Sequence, residues 1–99
     1  MGTKVKITFS RSALNDLEDV LDYYREQKAP QVGERLVAKI IKDIELLGKQ
    51  PEMGRIVPEF ELDYLRELIR PPFRIVYRRG KNKISIVRIW RSESLLLIP

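Results

Sequence analysis

The chain has no cysteine and no histidine. Without cysteine there is no disulfide framework and no thiolate zinc site. Without histidine the usual general base near neutral pH and the commonest metal ligand are both missing. No apolar run approaches the roughly 20 residues needed to span a bilayer, and the N-terminus shows no signal-peptide pattern. A cytoplasmic protein that does not associate with membranes is expected. Internal repeats and low-complexity segments are absent, and no metal, cofactor or small-molecule site is visible.

What is present is an ordinary globular composition with an uneven charge. Ninety-nine residues, 43% hydrophobic and 33% charged, are expected to form a single domain over residues 1–99 with a modest core. Residues 1–63 hold ten Lys or Arg against twelve Asp or Glu; residues 64–99 hold nine against two. The first part is therefore net −2 and the second net +7. So basic a segment should attract a polyanion or an acidic partner. A solvated basic face is the plainer alternative, although like charges packed together cost stability.

Along the chain, Lys4 to Phe9 alternates polar and apolar residues, the pattern of a half-buried strand. Ser10 is a good N-cap. Residues 11–28 read as a helix, with Leu14, Leu17, Leu21 and Tyr24 at helical spacing beside Ala13 and Val20. Its acids Asp16, Glu18, Asp19 and Asp22 read as a solvated face, because metal ligands would have to converge from other elements. Ala29-Pro30 breaks the chain. A second helix follows over residues 31–48, with a stripe of Val32, Leu36, Ile40, Ile44 and Leu47. Gly48 and Pro51 end it. So short a connection makes the helices antiparallel. Residues 49–63 read as a structured loop pinned by Ile56, Val57 and Phe60.

The remaining segment, Leu65 to Glu93, carries three runs rich in Ile, Val, Phe, Tyr and Trp. They are separated by Pro71-Pro72 and by Gly80-Lys81-Asn82-Lys83, which marks a hairpin. Strands are expected over Tyr64–Ile69, Phe73–Arg79 and Lys83–Trp90. The fold class is then α+β, in the order β-α-α-β-β-β, with an antiparallel helical hairpin packed on a small, mostly antiparallel sheet. The facing of the last strand depends on the hairpin. A two-residue turn at Lys81-Asn82 places Arg74 with Ile89 and Arg91; a three-residue turn places it with Arg88 and Trp90. One residue of slip exchanges every assignment.

With these elements in order, the chain resembles the RelE/ParE superfamily of type II toxin–antitoxin toxins, also called plasmid stabilisation proteins. The resemblance covers nearly the whole chain. It rests on a first strand running into SRSALNDLEDVLDYY at 10–24, on PEMGR at 51–55, on LRELI and FRIVYR within 65–78, and on IVRIWRSE at 86–93. It implies an intracellular toxin neutralised by a cognate antitoxin. ParE-like members act on DNA gyrase; RelE-like members cleave mRNA in the ribosome. The long paired helices are more similar to the ParE side, so gyrase is the expected target. A ribosome-dependent mRNA endoribonuclease and an inactive homologue are the alternatives.

If the chain were RelE-like, Arg74 in FRIVY would match the family's active-site arginine and stabilise phosphate charge. Arg91, with Arg88, would extend the clamp, and Glu93 or Tyr77 would supply acid–base function. Candidates for binding the target or the antitoxin are Arg66, Arg70, Arg78, Arg88, Trp90 and Leu95. The chain departs from the RelE-like pattern in having neither His nor Tyr after Tyr77. Ser94 also stands where members with a WRSE ending often carry Arg. Each residue has a plainer role beside the functional one. Trp90 suits the core or an antitoxin contact before a base-stacking platform, and Tyr77 suits sheet packing. Arg55 ties the loop to the body, and Glu67 and Glu93 pair with neighbouring arginines. The apolar tail Leu95 to Ile98 either closes the sheet edge or is the patch an antitoxin covers.

Overall fold

A computed structural model describes residues 5–91. The first strand, β1 (Lys6–Phe9), leads into α1 (Arg11–Glu26). Ser10 makes the transition: its Oγ accepts from the Ala13 N–H at 2.9 Å and donates to the Val87 carbonyl at 2.8 Å. One helix start is thereby capped and tied to a strand distant in sequence. Lys28, with φ of 59°, reverses the chain, and α2 (Pro30–Leu47) begins on proline, whose missing N–H is not needed in a first turn. The helices approach closely where α2 has Gly33. A Cβ there would lie 3.1 Å from that of Tyr24.

The buried stripes are narrower than the periodicity suggests. In α1, Ala13, Leu17 and Val20 are buried while Leu14 is 51% exposed; in α2, Ile40, Ile44 and Leu47 are buried while Val32 lies outside. Asp16 is buried as well, so it leaves the solvated acidic face assigned to it from sequence. Its position allows this, since it sits three residues after Ala13 and four before Val20, on the apolar stripe itself. Gly48 ends α2 in right-handed helical geometry, φ −63°, without the left-handed turn that favours glycine.

The sheet has five strands in the order β1-β5-β4-β3-β2, where β2 is Arg55–Ile56, β3 Leu65–Arg70, β4 Phe73–Gly80 and β5 Lys83–Arg91. β1 runs parallel to β5 and every other pair is antiparallel. The expected helical hairpin on a mostly antiparallel sheet is therefore present, with one addition. The stretch read as a loop over 49–63 contains β2, a two-residue edge strand too short to register in a hydrophobic pattern. Leu68, Phe73, Ile75, Tyr77, Ile84, Ile86 and Ile89 pack under the helices as one core.

The hairpin combines features of both expected registers. Gly80 pairs with Lys83, so the turn is the two-residue Lys81-Asn82, with Asn82 at φ 54°. Tyr77 pairs with Ile86, but Val76 then pairs with Arg88, leaving Val87 as an extra residue. This bulge shifts the rest of β5 by one position and turns its side chains over. Arg74 consequently lies opposite Trp90. The core residues of β5 are spaced accordingly, two apart from Ile84 to Ile86 and three apart from Ile86 to Ile89.

Candidate functional site

Arg74 lies on the face of the sheet turned away from the helices, but it is only 6% exposed. Its Nε donates to Glu67 Oε1 at 2.7 Å, its Nη2 also contacts that oxygen, and Nη2 reaches Glu59 Oε1 at 3.4 Å. Glu67, 1% exposed, accepts from Arg55 Nε at 2.7 Å through its other oxygen. The result is a chain of alternating charge, Arg55–Glu67–Arg74–Glu59, linking β2, β3, β4 and the segment before β3. Burial opposes the charge on Arg74, but the bonds to Glu67 and Glu59 outweigh it and hold its pKa above the ordinary arginine value. Glu59 is held below its usual range by a hydrogen bond from its own backbone and then by Arg74. Glu67 thus pairs with neighbouring arginines as expected, and Arg55 ties its loop to the body through Glu67.

Tyr77 projects to the helix side and is fully buried. Its hydroxyl donates to the Pro51 carbonyl at 2.8 Å and accepts from the Gly54 N–H at 3.0 Å. Burial raises its pKa above the ordinary 10.0, so the phenol stays neutral. The contact demands glycine at 54. A Cβ there would lie 2.6 Å from the Glu67 carbonyl and 2.7 Å from the Tyr77 hydroxyl. PEMGR is therefore a loop that closes over a buried phenol.

Arg88 and Trp90 occupy the far end of β5 on the same face as Arg74. The Arg88 guanidinium grips Asp16 with two bonds, Nε to Oδ2 at 2.8 Å and Nη2 to Oδ1 at 2.9 Å. Those bonds raise its pKa against the smaller effect of burial. It also lies 5.0 Å from the centre of the Trp90 ring. Asp16 Oδ2 accepts a third bond, from the Ile89 N–H at 2.8 Å. β1 pairs β5 only as far as Ile86. Asp16 therefore satisfies a strand edge beyond the point where the neighbouring strand ends. Arg91 packs over Phe73 at 5.6 Å and over Tyr23 at 5.7 Å. Between α1 and β5 lies a groove of about 260 Å³, lined by Val20, Tyr23, Phe73, Ile89, Trp90 and Arg91 together with Asp16 and Asp19.

The other binding candidates scatter. Arg66 bonds to Asp63, at 3.0 Å to both carbonyl and carboxylate, and to the Gly54 carbonyl at 3.3 Å. Arg70 reaches Asp43 of α2 at 3.3 Å. Arg78 lies over the Tyr64 ring at 5.9 Å. Glu93, Ser94 and Leu95 lie outside the described residues. The fold thus brings Arg74, Arg88 and Trp90 to one face, sets Arg91 beside them at the groove, and turns Arg66, Arg70 and Tyr77 to the helix side. Asp16 and Glu59 were not among the sequence candidates. The helical phase of Asp16 could have marked it; no local pattern marks Glu59.

The sequence matches the family described as the ParE toxin of the type II toxin–antitoxin system parDE, over residues 7–96. A search of curated proteins gave no match. Among solved structures, the chromosomal ParDE toxin–antitoxin system from P. aeruginosa is similar. It has 27% identity and a TM-score of 0.73, covering 89% of this chain and 96% of that one. The toxin–antitoxin complex RelBE2 from Mycobacterium tuberculosis shares the fold, with 18% identity and a TM-score of 0.66 over 90% of this chain and 99% of its own. So does the E. coli DinJ–YafQ complex, with 11% identity and a TM-score of 0.64 over 95% and 99%. A helical hairpin on a five-stranded sheet, matched over nearly its whole length, places this chain in the ParE toxin family of type II toxin–antitoxin systems.

Proposed function

We propose that this toxin acts in the cytoplasm by binding DNA gyrase, without catalysis of its own, and that a cognate antitoxin neutralises it. The observation that carries this reading is the engagement of Arg74 and Tyr77. RNA cleavage through a 2′-OH needs an available acid–base group next to a cation that can meet the phosphate. Here the cation is enclosed by two carboxylates, and the phenol is closed off between Pro51 and Gly54. Both hold the sheet and its covering loops together, which suits a binding protein better than a nuclease. Membership of the ParE family supports the same target. The antitoxin is assigned to the groove between α1 and β5, where Tyr23, Phe73 and Trp90 offer an apolar wall and Arg91 a cation. The ParDE, RelBE2 and DinJ–YafQ structures all concern toxins with antitoxins.

Two assays on the purified chain test the target. Inhibition of gyrase supercoiling, with accumulation of cleaved DNA and intact messages in a translating extract, is the expected result. Codon-phased cuts in translated mRNA with gyrase unaffected would overturn it in favour of the endoribonuclease. Inactivity in both assays from a folded protein would favour an inactive homologue, and Ser94→Arg would then be the variant to make.

A further inference from the structure

The end of the sheet formed by β1 and the β4–β5 hairpin collects cations that no carboxylate among the described residues balances. Lys6 of β1 lies directly beside Lys83 of β5 in the parallel register. Their neighbours Ile7 and Ile84 face the core, so both lysines share the opposite, outer face. Adjacent strands are about 4.8 Å apart, and like charges directly side by side destabilise a sheet. Arg78, paired in register with Ser85, carries the row onto β4, and Lys81 sits at the turn. All four are exposed. Among the described residues no carboxylate forms an ion pair with Lys6, Arg78, Lys81 or Lys83, whereas Arg55, Arg66, Arg70, Arg74 and Arg88 each have one. Thr8 and Ser85, with their hydroxyls 3.4 Å apart, complete the surface with donors and acceptors.

We infer that this outer face of the β1–β5–β4 end is a docking surface for the sugar–phosphate backbone of duplex DNA. Four uncompensated cations and two hydroxyls on a flat sheet suit a regular row of phosphates. A single strand would call for several open aromatic platforms in a row; the exposed ring at this end is Tyr64, with the Arg78 guanidinium 5.9 Å from its centre. The choice of DNA over another duplex rests on the gyrase reading, in which DNA accompanies the target. The patch lies at the opposite end of β5 from Arg88, Trp90 and the groove, so DNA and antitoxin would meet different parts of the molecule.

The test uses the whole chain and a fluorescein-labelled 20-base-pair duplex, with anisotropy followed from 20 to 200 mM salt. Sequence-independent binding is expected, with Kd on the order of 10⁻⁴–10⁻⁶ M at physiological salt. Lys6→Gln/Lys83→Gln should weaken it roughly tenfold at low salt and flatten the salt slope by about 1.8, for two lost phosphate contacts. Lys28→Gln/Lys42→Gln, exposed lysines at the helical hairpin turn and on α2, should leave both quantities near wild type. Equal losses in the two pairs, or no duplex binding by wild type at 20 mM salt, would overturn the proposal. So would tighter binding of a polyglutamate peptide or of single-stranded RNA than of the duplex. Gyrase inhibition is measured separately. Duplex binding that depends on Lys6 and Lys83, without gyrase inhibition, keeps the surface and removes the target reading. Gyrase inhibition with no duplex binding does the reverse.

Discussion

Truncating Arg74 tests whether the charged chain on the outer sheet face is structural. Arg74→Ala removes the main partner of Glu67, a carboxylate whose side chain is fully buried. Arg55 remains bonded to its other oxygen, but the Arg55 side chain is 61% exposed, so its charge is largely screened by water. Breaking a buried pair by removing one partner costs about 3–5 kcal/mol; the surviving Arg55 bond places the expected loss at the lower end of that range. A domain of this size has only about 5–15 kcal/mol in total, and each 1 kcal/mol lowers Tm by about 4–8 °C. Loss of toxicity in the single variant would therefore say nothing about a direct role. Arg74→Met/Glu67→Leu removes both charges and keeps most of the volume, and exchanges of this kind are often neutral or stabilising. Urea denaturation should show the single variant losing about 3 kcal/mol and the double variant returning to within about 1 kcal/mol of wild type. A single variant within about 1 kcal/mol of wild type, or a double variant as unstable as the single, would refute the account. Growth arrest by the folded double variant would place Arg74 in the scaffold; a stable but harmless double variant would place it at the target.

Three further outcomes follow from the same contacts. Tyr77→Phe loses both hydroxyl bonds and leaves the Gly54 N–H unpaired, a cost of about 1–3 kcal/mol in denaturant titrations. Because the folded pKa of Tyr77 is raised, its contribution is complete below pH 10.0 and falls as pH rises through the folded value; wild type should lose stability there, and the phenylalanine variant should lack that component. Asp16→Ala strips Arg88 of its carboxylate and the Ile89 N–H of its acceptor, and should lower stability by about 2–4 kcal/mol in the same measurement. Ile40→Ala opens a cavity beneath the helices at a residue 2% exposed and should cost about 2–5 kcal/mol, while a change below about 0.5 kcal/mol would contradict its place in the core.

Much of the fold was legible because it depends on local signals. Helical periodicity, Ser10 as a cap, Pro30 and Gly48 as boundaries, and β-branched runs between Pro71-Pro72 and Lys81-Asn82 each act within a few residues of one another. β2 escaped because two residues carry no periodicity. The hairpin register escaped for a different reason. The turn is the two-residue one, yet the bulge at Val87 overrides the phase that the turn sets. The sequence marks no residue there, since Val87 is as good a strand former as its neighbours.

The candidate site divides along the same line. The sequence by itself determined that the last third of the chain would be a basic sheet, that any chemistry would have to proceed without histidine or cysteine, that Arg55 would tie its loop to the body and that Glu67 would pair with neighbouring arginines. The tertiary structure alone decided which arginines are occupied. Arg74 meets Glu59 across 15 positions of sequence, and Arg88 meets Asp16 across 72. Such partners are chosen by how β5 is shifted at its bulge and where α1 crosses its edge. Burial then enforces the pairing, because a charge taken out of water must find its opposite. Lys6 and Lys83 escape that requirement by remaining at the surface, where water solvates their charge.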